Sequence, residues 1–140
     1  MFYEICHQIS KEKNIKIIYA RLFSVYGEGQ NENNLWPSLK KAAENNLDFK
    51  LTKGEQIRDF ISVDSVCLNF LKIIRKFNNI KSGNQKVINI GSGVPKTVSE
   101  FSNYWWNKFE SKGNLIIGAL PYRKNEMMRC VPEIDKKFLI

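Results

Sequence analysis

Apolar positions recur at helical spacing in four stretches of the chain and form short continuous runs between them. The helical stretches lie at residues 1–12, 34–43, 63–74 and 97–109. The apolar runs, which predict strands, lie at residues 15–22, 49–51, 87–90 and 115–120. Helical periodicity argues for amphipathic helices, and short apolar runs between them argue for buried strands. The alternating order predicts an α/β fold with no internal linker.

Polar residues at the starts of three stretches predict helix caps. Asn34 is expected to cap a helix that carries Pro37 in its first turn. Asp64 is expected to cap the stretch 63–74. Thr97 and Glu100 have the spacing of a capping box, in which each side chain bonds the other residue's backbone N–H.

Two features predict that the chain is the later part of a larger unit. The first helical stretch starts at Met1, already in mid-pattern and without a cap. The run at residues 15–22 is broken only by Lys16 and is typical of a parallel strand buried on both faces. Such a strand needs a neighbour on each side, and the rest of the chain supplies few. We therefore expect residues 1–140 to form a single partial domain.

Composition narrows the classes of function. The chain has 140 residues, 43% of them hydrophobic and 26% charged, which is ordinary for a globular domain. Its formal net charge of +8 favours an anionic partner. The basic residues are scattered, which argues against a nucleic-acid partner because such sites concentrate charge on one face. No signal-peptide pattern and no apolar run of about 18 residues occur, so we expect a soluble, cytoplasmic protein without membrane contact.

The cysteines predict no metal site and no disulfide framework. Cys6, Cys67 and Cys130 are three, far apart, and no pair has the spacing of zinc ligands. The one histidine, His7, follows a cysteine directly on a predicted helix. Reduced, buried cysteines are the simplest interpretation.

A glycine-rich turn follows the strand predicted at residues 87–90. Residues 91–96 lie between a strand and a helix, where a dinucleotide fingerprint belongs. Lys96 stands where the third glycine of that fingerprint is needed. A plain strand-to-helix turn is therefore favoured over a phosphate-binding loop.

Arg58 is the best single functional candidate. It precedes an apolar strand-and-helix segment, and its planar fork suits a diphosphate. An ion pair with Asp59 or Glu55 is the competing interpretation, and spacing alone leaves both open. Arg123 and Glu126 form a second charged pair, for which a simple charged turn is favoured.

Aromatic residues offer weaker signals. Tyr26 would act as an acid or base only if burial shifted its pKa, and packing of its ring is the more common role. Trp105 and Trp106 could stack on bases, but their adjacent helical positions place one of them in the core.

Four blocks together resemble the extended short-chain dehydrogenase/reductases, the NAD-dependent epimerases and dehydratases that act on sugar nucleotides. They occur in the family's order and cover nearly all of the chain. The blocks are RLFSVYGEGQ at 21–30, GEQIRDFISVDSV at 54–66, VINIGSG at 87–93 with TVSEF at 97–101, and PYRKNEM at 121–127.

The resemblance implies substrate-binding roles for five residues. Arg58 would bind the phosphates or ribose of the nucleotide, and Arg123 the diphosphate. Glu126 would accept hydrogen bonds from ribose hydroxyls. Ser24 stands where the family commonly has an asparagine that contacts the sugar or diphosphate. Tyr26 would shape the loop over the substrate.

The resemblance also implies that the catalytic half is missing. In the family, the cofactor loop and the catalytic Tyr-x-x-x-Lys pair precede the helix that here starts at residue 1. We therefore expect no catalytic residue in this chain and no Tyr-x-x-x-Lys pair. NAD or NADP would serve the full-length relative, and this chain alone would bind neither. The fold implied is the C-terminal portion of a Rossmann-type sheet plus a small mixed α/β substrate-binding lobe.

The function expected is sugar-nucleotide binding, as the C-terminal part of an NAD(P)-dependent epimerase or dehydratase that is inactive alone. The alternative is a non-catalytic interaction or scaffold protein derived from the family. The partners expected are a nucleotide-sugar and either a second copy of the chain, through helix 1–12, or a missing N-terminal half.

Overall fold

The computed structural model describes residues 2–134 and alternates helices with strands. The helices are α1 Phe2–Glu12, α2 Leu35–Glu44, α3 Val63–Lys76 and α4 Val98–Lys108, with a short 3-10 helix at Phe77–Asn79. The strands are β1 Ile17–Leu22, β2 Ser24–Tyr26, β3 Phe49–Lys50, β4 Ile57–Ser62, β5 Gln85–Ile90, β6 Pro95–Thr97, β7 Leu115–Ile116 and β8 Arg129–Cys130. Within residues 2–134, no helix is long and apolar enough to cross a membrane.

The strands form three small sheets. β1 and β5 pair in parallel over their full length. β4 is the centre of the second sheet, where it pairs in parallel with β2 and β8 and antiparallel with β6. β3 and β7 form a short parallel pair. The mixed α/β architecture predicted from the sequence is confirmed, whereas β2, β4, β6 and β8 were not predicted as strands.

Two apolar cores divide the described chain. The first lies between α3, β4 and the β1–β5 pair and contains Ile61, Val66, Ile73, Ile88 and Ile90. The second lies between α2 and α4 and contains Leu39, Ala43 and Trp106. The buried member of the Trp105–Trp106 pair is therefore Trp106, and Trp105 packs half-buried against the second core.

β1 differs from the strand that the sequence predicts. Its first four residues are half-buried and its last two, Arg21 and Leu22, are exposed. Among the described residues it pairs only with β5. Its apolar run is thus not enclosed on both faces in this structure.

The helix caps follow the predictions in part. The Thr97–Glu100 capping box is present, with bonds of 3.1 Å and 2.7 Å. Ser62 rather than Asp64 caps α3, because β4 runs straight into the helix and the extended Ser62 directs its hydroxyl to the first turn. Asn34 occupies the N-cap position of α2, but its side chain makes no capping bond.

Apolar side chains stay exposed along α1 and α3. Val66 and Ile73 of α3 are buried, but Leu68, Leu71 and Ile74 of the same helix are 52–65% exposed. On α1, Phe2, Ile5 and Ile9 are 41–66% exposed, although the spacing predicts that they face a core. Contiguous exposed apolar surface of this kind marks interaction sites or association liabilities.

We predict that the 140-residue chain self-associates in solution or melts at low temperature. Sedimentation velocity and a thermal melt measure both properties. Leu71→Lys together with Ile74→Lys should reduce association, because charge interrupts the α3 surface. Leu47→Lys is the matched control, since Leu47 is equally exposed but lies outside α1 and α3. A monodisperse wild-type monomer with a cooperative melt above about 65 °C would contradict the prediction.

Candidate functional site

Side-chain alternation along β4 divides its residues between two environments. Successive side chains of a strand point to opposite faces of the sheet. Asp59 and Ile61 are buried, at 0% and 3% exposure. Arg58 and Phe60 are half-buried on the other face, where both line a cavity. A single six-residue strand therefore supplies both core and cavity wall.

This cavity, which we call the β2–β4 cavity, has a volume of about 290 Å³. β2 contributes Ser24 and Tyr26, and the start of α2 contributes Asn34 and Trp36. α4 contributes Val98 and Phe101, and the loop after β2 contributes Gln30. Arg58 is the only charged side chain among the described residues that line it.

Four aromatic residues form part of the cavity wall. The ring centroid of Tyr26 lies 5.0 Å from that of Phe101 and 6.0 Å from that of Trp36. Phe60 stacks on Phe101 at 3.8 Å. Burial, followed by the neighbouring Tyr104, raises the pKa of Tyr26 above its ordinary value. Tyr26 therefore keeps its proton at neutral pH and is unsuited to act as a base, so its packing role is favoured.

Arg58 is held by acceptors from two segments. Its Nη2 donates to Glu126 Oε1 at 3.2 Å and to the backbone oxygen of Met127 at 2.5 Å. Its Nη1 donates to the backbone oxygen of Ile57 at 3.0 Å. The competing interpretation, an ion pair with Asp59 or Glu55, does not describe the structure. Alternation turns Asp59 away, and Glu55 instead accepts from the Tyr122 hydroxyl.

Glu126 and Arg123 lie in one turn but do not pair through their side chains. The Glu126 backbone N–H donates to the Arg123 carbonyl oxygen at 3.2 Å. β8, which follows this turn, pairs with β4 and brings Glu126 to Arg58. The Arg123 side chain is exposed, is not among the cavity-lining residues, and makes no bond with the described part of the chain.

Asp59 occupies the glycine-rich turn. Its carboxylate accepts from the backbone N–H of Ser92 at 2.6 Å and of Gly93 at 2.8 Å. A Cβ on Gly91 would lie 2.7 Å from Asp59 Oδ2, so only glycine fits there. The backbone donors that a phosphate would use are thus already bonded to an internal carboxylate, which supports the plain turn predicted from the sequence.

The expectation that the sequence contains no Tyr-x-x-x-Lys pair is wrong, because one such spacing occurs. Tyr104 and Lys108 have this spacing on α4. They lie between the third and fourth blocks rather than before α1. Lys108 Nζ lies 5.9 Å from the Tyr104 ring centroid and 4.8 Å from that of Trp105. The contact places the ammonium over rings of the α4 surface, so it indicates surface packing and not the catalytic pair.

Two ion pairs hold the loop between β2 and α2 against α2. Glu28 pairs with Lys40 of α2, and Glu32 pairs with Lys41 at 2.9 Å. Gly27 has φ +147°, and a Cβ there would lie 2.6 Å from Val63 Cγ1. The close approach of this loop to the start of α3 therefore requires glycine.

Sequence reasoning named Ser24, Tyr26 and Arg58 of the residues that line the cavity and missed the others. The missed residues include Gln30, Trp36, Phe60 and Phe101. Assigning residues 57–62 as a strand would have found Phe60, since it stands two positions from Arg58 on one face. Among residues 2–134, no group of three or more histidine, cysteine or acidic side chains could hold a metal ion.

Comparison with known proteins places the chain in a family. Residues 1–91 match the family model described as NAD dependent epimerase/dehydratase family. The chain belongs to this family. A CDP-abequose synthase of Salmonella typhimurium is 33% identical over 133 residues, covering 93% of this chain and 44% of that protein. A CDP-abequose synthase of Salmonella muenchen is 29% identical and covers 86% and 40%.

Solved structures share the fold. UDP-glucose 4-epimerase from Thermotoga maritima, determined with UDP-glucose, aligns with a TM-score of 0.79 at 20% identity over 96% of this chain and 42% of that one. dTDP-glucose 4,6-dehydratase from Bacillus anthracis, determined with NAD, gives a TM-score of 0.73 at 19% identity over 94% and 40%. The Rossmann-type fold class is thereby confirmed, and the chain spans less than half the length of these relatives.

We predict that Asp59→Asn destabilises the protein by about 2 kcal/mol or more. The substitution removes the charge from two part-buried hydrogen bonds and can leave one of the two backbone donors, Ser92 or Gly93, unsatisfied. Urea unfolding measures the free energy of unfolding. Asp64→Asn is the control, because Asp64 is exposed in the first turn of α3. Equal stability of the two variants would refute a structural role for the Asp59 carboxylate.

Proposed function

We propose that the chain binds a sugar nucleotide in the β2–β4 cavity, as the C-terminal part of an NAD(P)-dependent nucleotide-sugar epimerase or dehydratase. The observation that carries the proposal is the combination of one arginine with aromatic walls. Arg58 is the only charged described residue lining the cavity. A nucleotide presents the complementary chemistry, since it joins a planar base to an anionic diphosphate.

The polar groups at one end of the cavity support an anionic ligand. α2 is ten residues long and its first residue, Leu35, lines the cavity, so the positive end of the helix dipole lies at this wall. The Asn34 side chain lines the same wall and makes no capping bond. The volume of about 290 Å³ is at the lower end for ligand pockets, which suits part of a nucleotide rather than a whole dinucleotide.

The remaining site residues take the roles that the family resemblance implies. Ser24 would contact the sugar or diphosphate from β2, and Tyr26 would shape the wall with its ring and a protonated hydroxyl. Arg123 would reach the diphosphate from its exposed turn. Glu126 would accept from ribose hydroxyls at the edge of the site. The family's substrate class supports these roles, and ligand titration tests them.

The cofactor belongs to a part of the fold outside these residues. Structures of family relatives are described as containing NAD or NADPH. In this chain the glycine-rich turn at residues 91–93 does not fit a dinucleotide phosphate, because Asp59 engages its N–H groups. We therefore assign no hydride step to the described residues and propose that the chain alone is inactive and binds neither NAD nor NADP.

The exposed apolar faces favour an additional interaction role. α1 and α3 both expose apolar side chains that a partner would cover. The partner is either a second copy of the chain through helix 1–12 or an N-terminal half that completes the sheet beside β1. A purely non-catalytic scaffold derived from the family is the alternative function, and this surface is the observation in its favour.

We predict no epimerase, dehydratase or reductase turnover by the purified 140-residue chain with any sugar nucleotide plus NAD or NADP. Proton transfer in such reactions needs a positioned acid/base, and the described cavity offers none with a suitable pKa. Product analysis by chromatography, with cofactor absorbance at 340 nm, measures turnover. Hydride transfer above a protein-free blank would contradict the prediction.

We predict that the chain binds nucleoside diphosphates and sugar nucleotides, and that Arg58→Ala and Arg123→Ala each weaken binding about tenfold or more. A hydrogen bond to a charged group contributes about 1.5–3 kcal/mol, which corresponds to this range. Arg→Lys should restore binding only in part, because the planar fork is lost. Calorimetric titration with CDP-, UDP-, GDP- and dTDP-sugars measures affinity, and CDP-sugars come first because the two similar Salmonella proteins are CDP-abequose synthases.

Arg75→Ala is the matched control for the arginine variants. Arg75 is exposed in the last turn of α3 and does not line the β2–β4 cavity. Its loss removes the same charge without touching the site. Equal affinity of wild type, Arg58→Ala and Arg123→Ala would remove the diphosphate assignment and favour the scaffold function.

A further inference from the structure

The guanidinium of Arg58 has little donor capacity left for a ligand. An arginine side chain carries five N–H donors in a fixed plane. Both hydrogens of Nη2 are used, by Glu126 Oε1 and by the Met127 carbonyl oxygen. One hydrogen of Nη1 is used by the Ile57 carbonyl oxygen. The two that remain, on Nε and Nη1, lie on different edges of the plane.

This arrangement excludes bidentate binding of a phosphate to Arg58 as it stands. A bidentate contact needs two adjacent, parallel N–H groups. A guanidinium has two such pairs, Nε with Nη2 and Nη1 with Nη2, and both include Nη2. The outer Nη1 hydrogen has no parallel neighbour. An anion that takes the fork of Arg58 must therefore displace one of the two acceptors now bonded to Nη2.

Glu126 is the acceptor that can leave. Its bond to Arg58 is the longer of the two, at 3.2 Å against 2.5 Å for Met127. Within residues 2–134 only one of its two carboxylate oxygens is bonded, and its side chain is 21% exposed, so it can turn toward solvent. The Met127 acceptor is a backbone carbonyl. The carbonyl of the next residue, Met128, accepts from the Ile57 N–H of β4. Moving it would pull the segment away from the sheet.

We propose that the Nη2 edge of Arg58 is an anion subsite beside the β2–β4 cavity, which Arg58 lines and Glu126 does not, and that the Glu126 carboxylate occupies this edge in place of the ligand's diphosphate. The proposal rests on the proposed function and deepens it. An incoming diphosphate exchanges with Glu126 on the same edge of Arg58. Glu126 then lowers the affinity of the free protein for anions, and once displaced it is free to accept from neighbouring hydroxyls.

The proposal predicts that Glu126→Gln increases the affinity of the protein for an anion. The amide competes less well for the guanidinium and does not repel a phosphate, so inorganic pyrophosphate should bind about three- to tenfold more tightly than to wild type. Binding of the uncharged nucleoside should not improve. In an Arg58→Ala background, Glu126→Gln should have almost no effect on pyrophosphate, because the exchange acts through Arg58. Calorimetric titration with pyrophosphate, nucleoside and nucleoside diphosphate measures all three.

The controls separate this exchange from general charge and from failure of the site. Glu110→Gln changes the net charge equally at the far end of α4 and should leave pyrophosphate affinity unchanged. Weaker or unchanged pyrophosphate binding by Glu126→Gln, or tighter binding that persists without Arg58, would overturn the exchange. If wild type binds nucleoside diphosphates and Arg58→Ala weakens that binding, the proposed function stands even when the Glu126 exchange is overturned. If no nucleotide binds at all, the proposed function itself fails. Circular dichroism confirms that each variant is folded.

Discussion

The alternation of side chains along β4 is the constraint on which the rest of this structure depends. This strand pairs with β2, β6 and β8, so it fixes three segments that are distant in the sequence. Its inward residues anchor the fold, since the Asp59 carboxylate holds the turn after β5. Its outward residues, Arg58 and Phe60, form the cavity wall. A shift of one residue in register would bury the arginine and expose the aspartate, because strand periodicity is two.

The same constraint explains how a basic chain would form the proposed anion site without a cluster of basic residues. The net charge of +8 is spread over the surface, and a single arginine lines the cavity. Aromatic walls and limited exposure lower the local dielectric, which strengthens one well-placed charge. The Glu126 carboxylate balances that charge, since an unpaired guanidinium with little exposure would be costly.

The sequence predicted the parts of the fold that depend on local pattern. The four helices, the capping box at Thr97 and the strands β1, β3 and β5 follow from periodicity and cap chemistry. The partners of Arg58 could not be predicted, because Glu126 reaches it through a two-residue strand with no pattern of its own. The exposure of Leu71 and Ile74 was also missed, since an apolar stripe indicates burial but does not identify what covers it.

The most direct test of nucleotide binding in this cavity uses the indole N–H signals of the three tryptophans in a ¹H–¹⁵N spectrum. Trp36 lines the cavity, and its Nε1 has no partner within the described chain, whereas Trp106 is buried in the second core. Titration with a nucleoside diphosphate should shift the Trp36 signal in a saturable way and leave the Trp106 signal in place. Saturable shifts of Trp106 without Trp36, or no shift at millimolar ligand, would contradict the account.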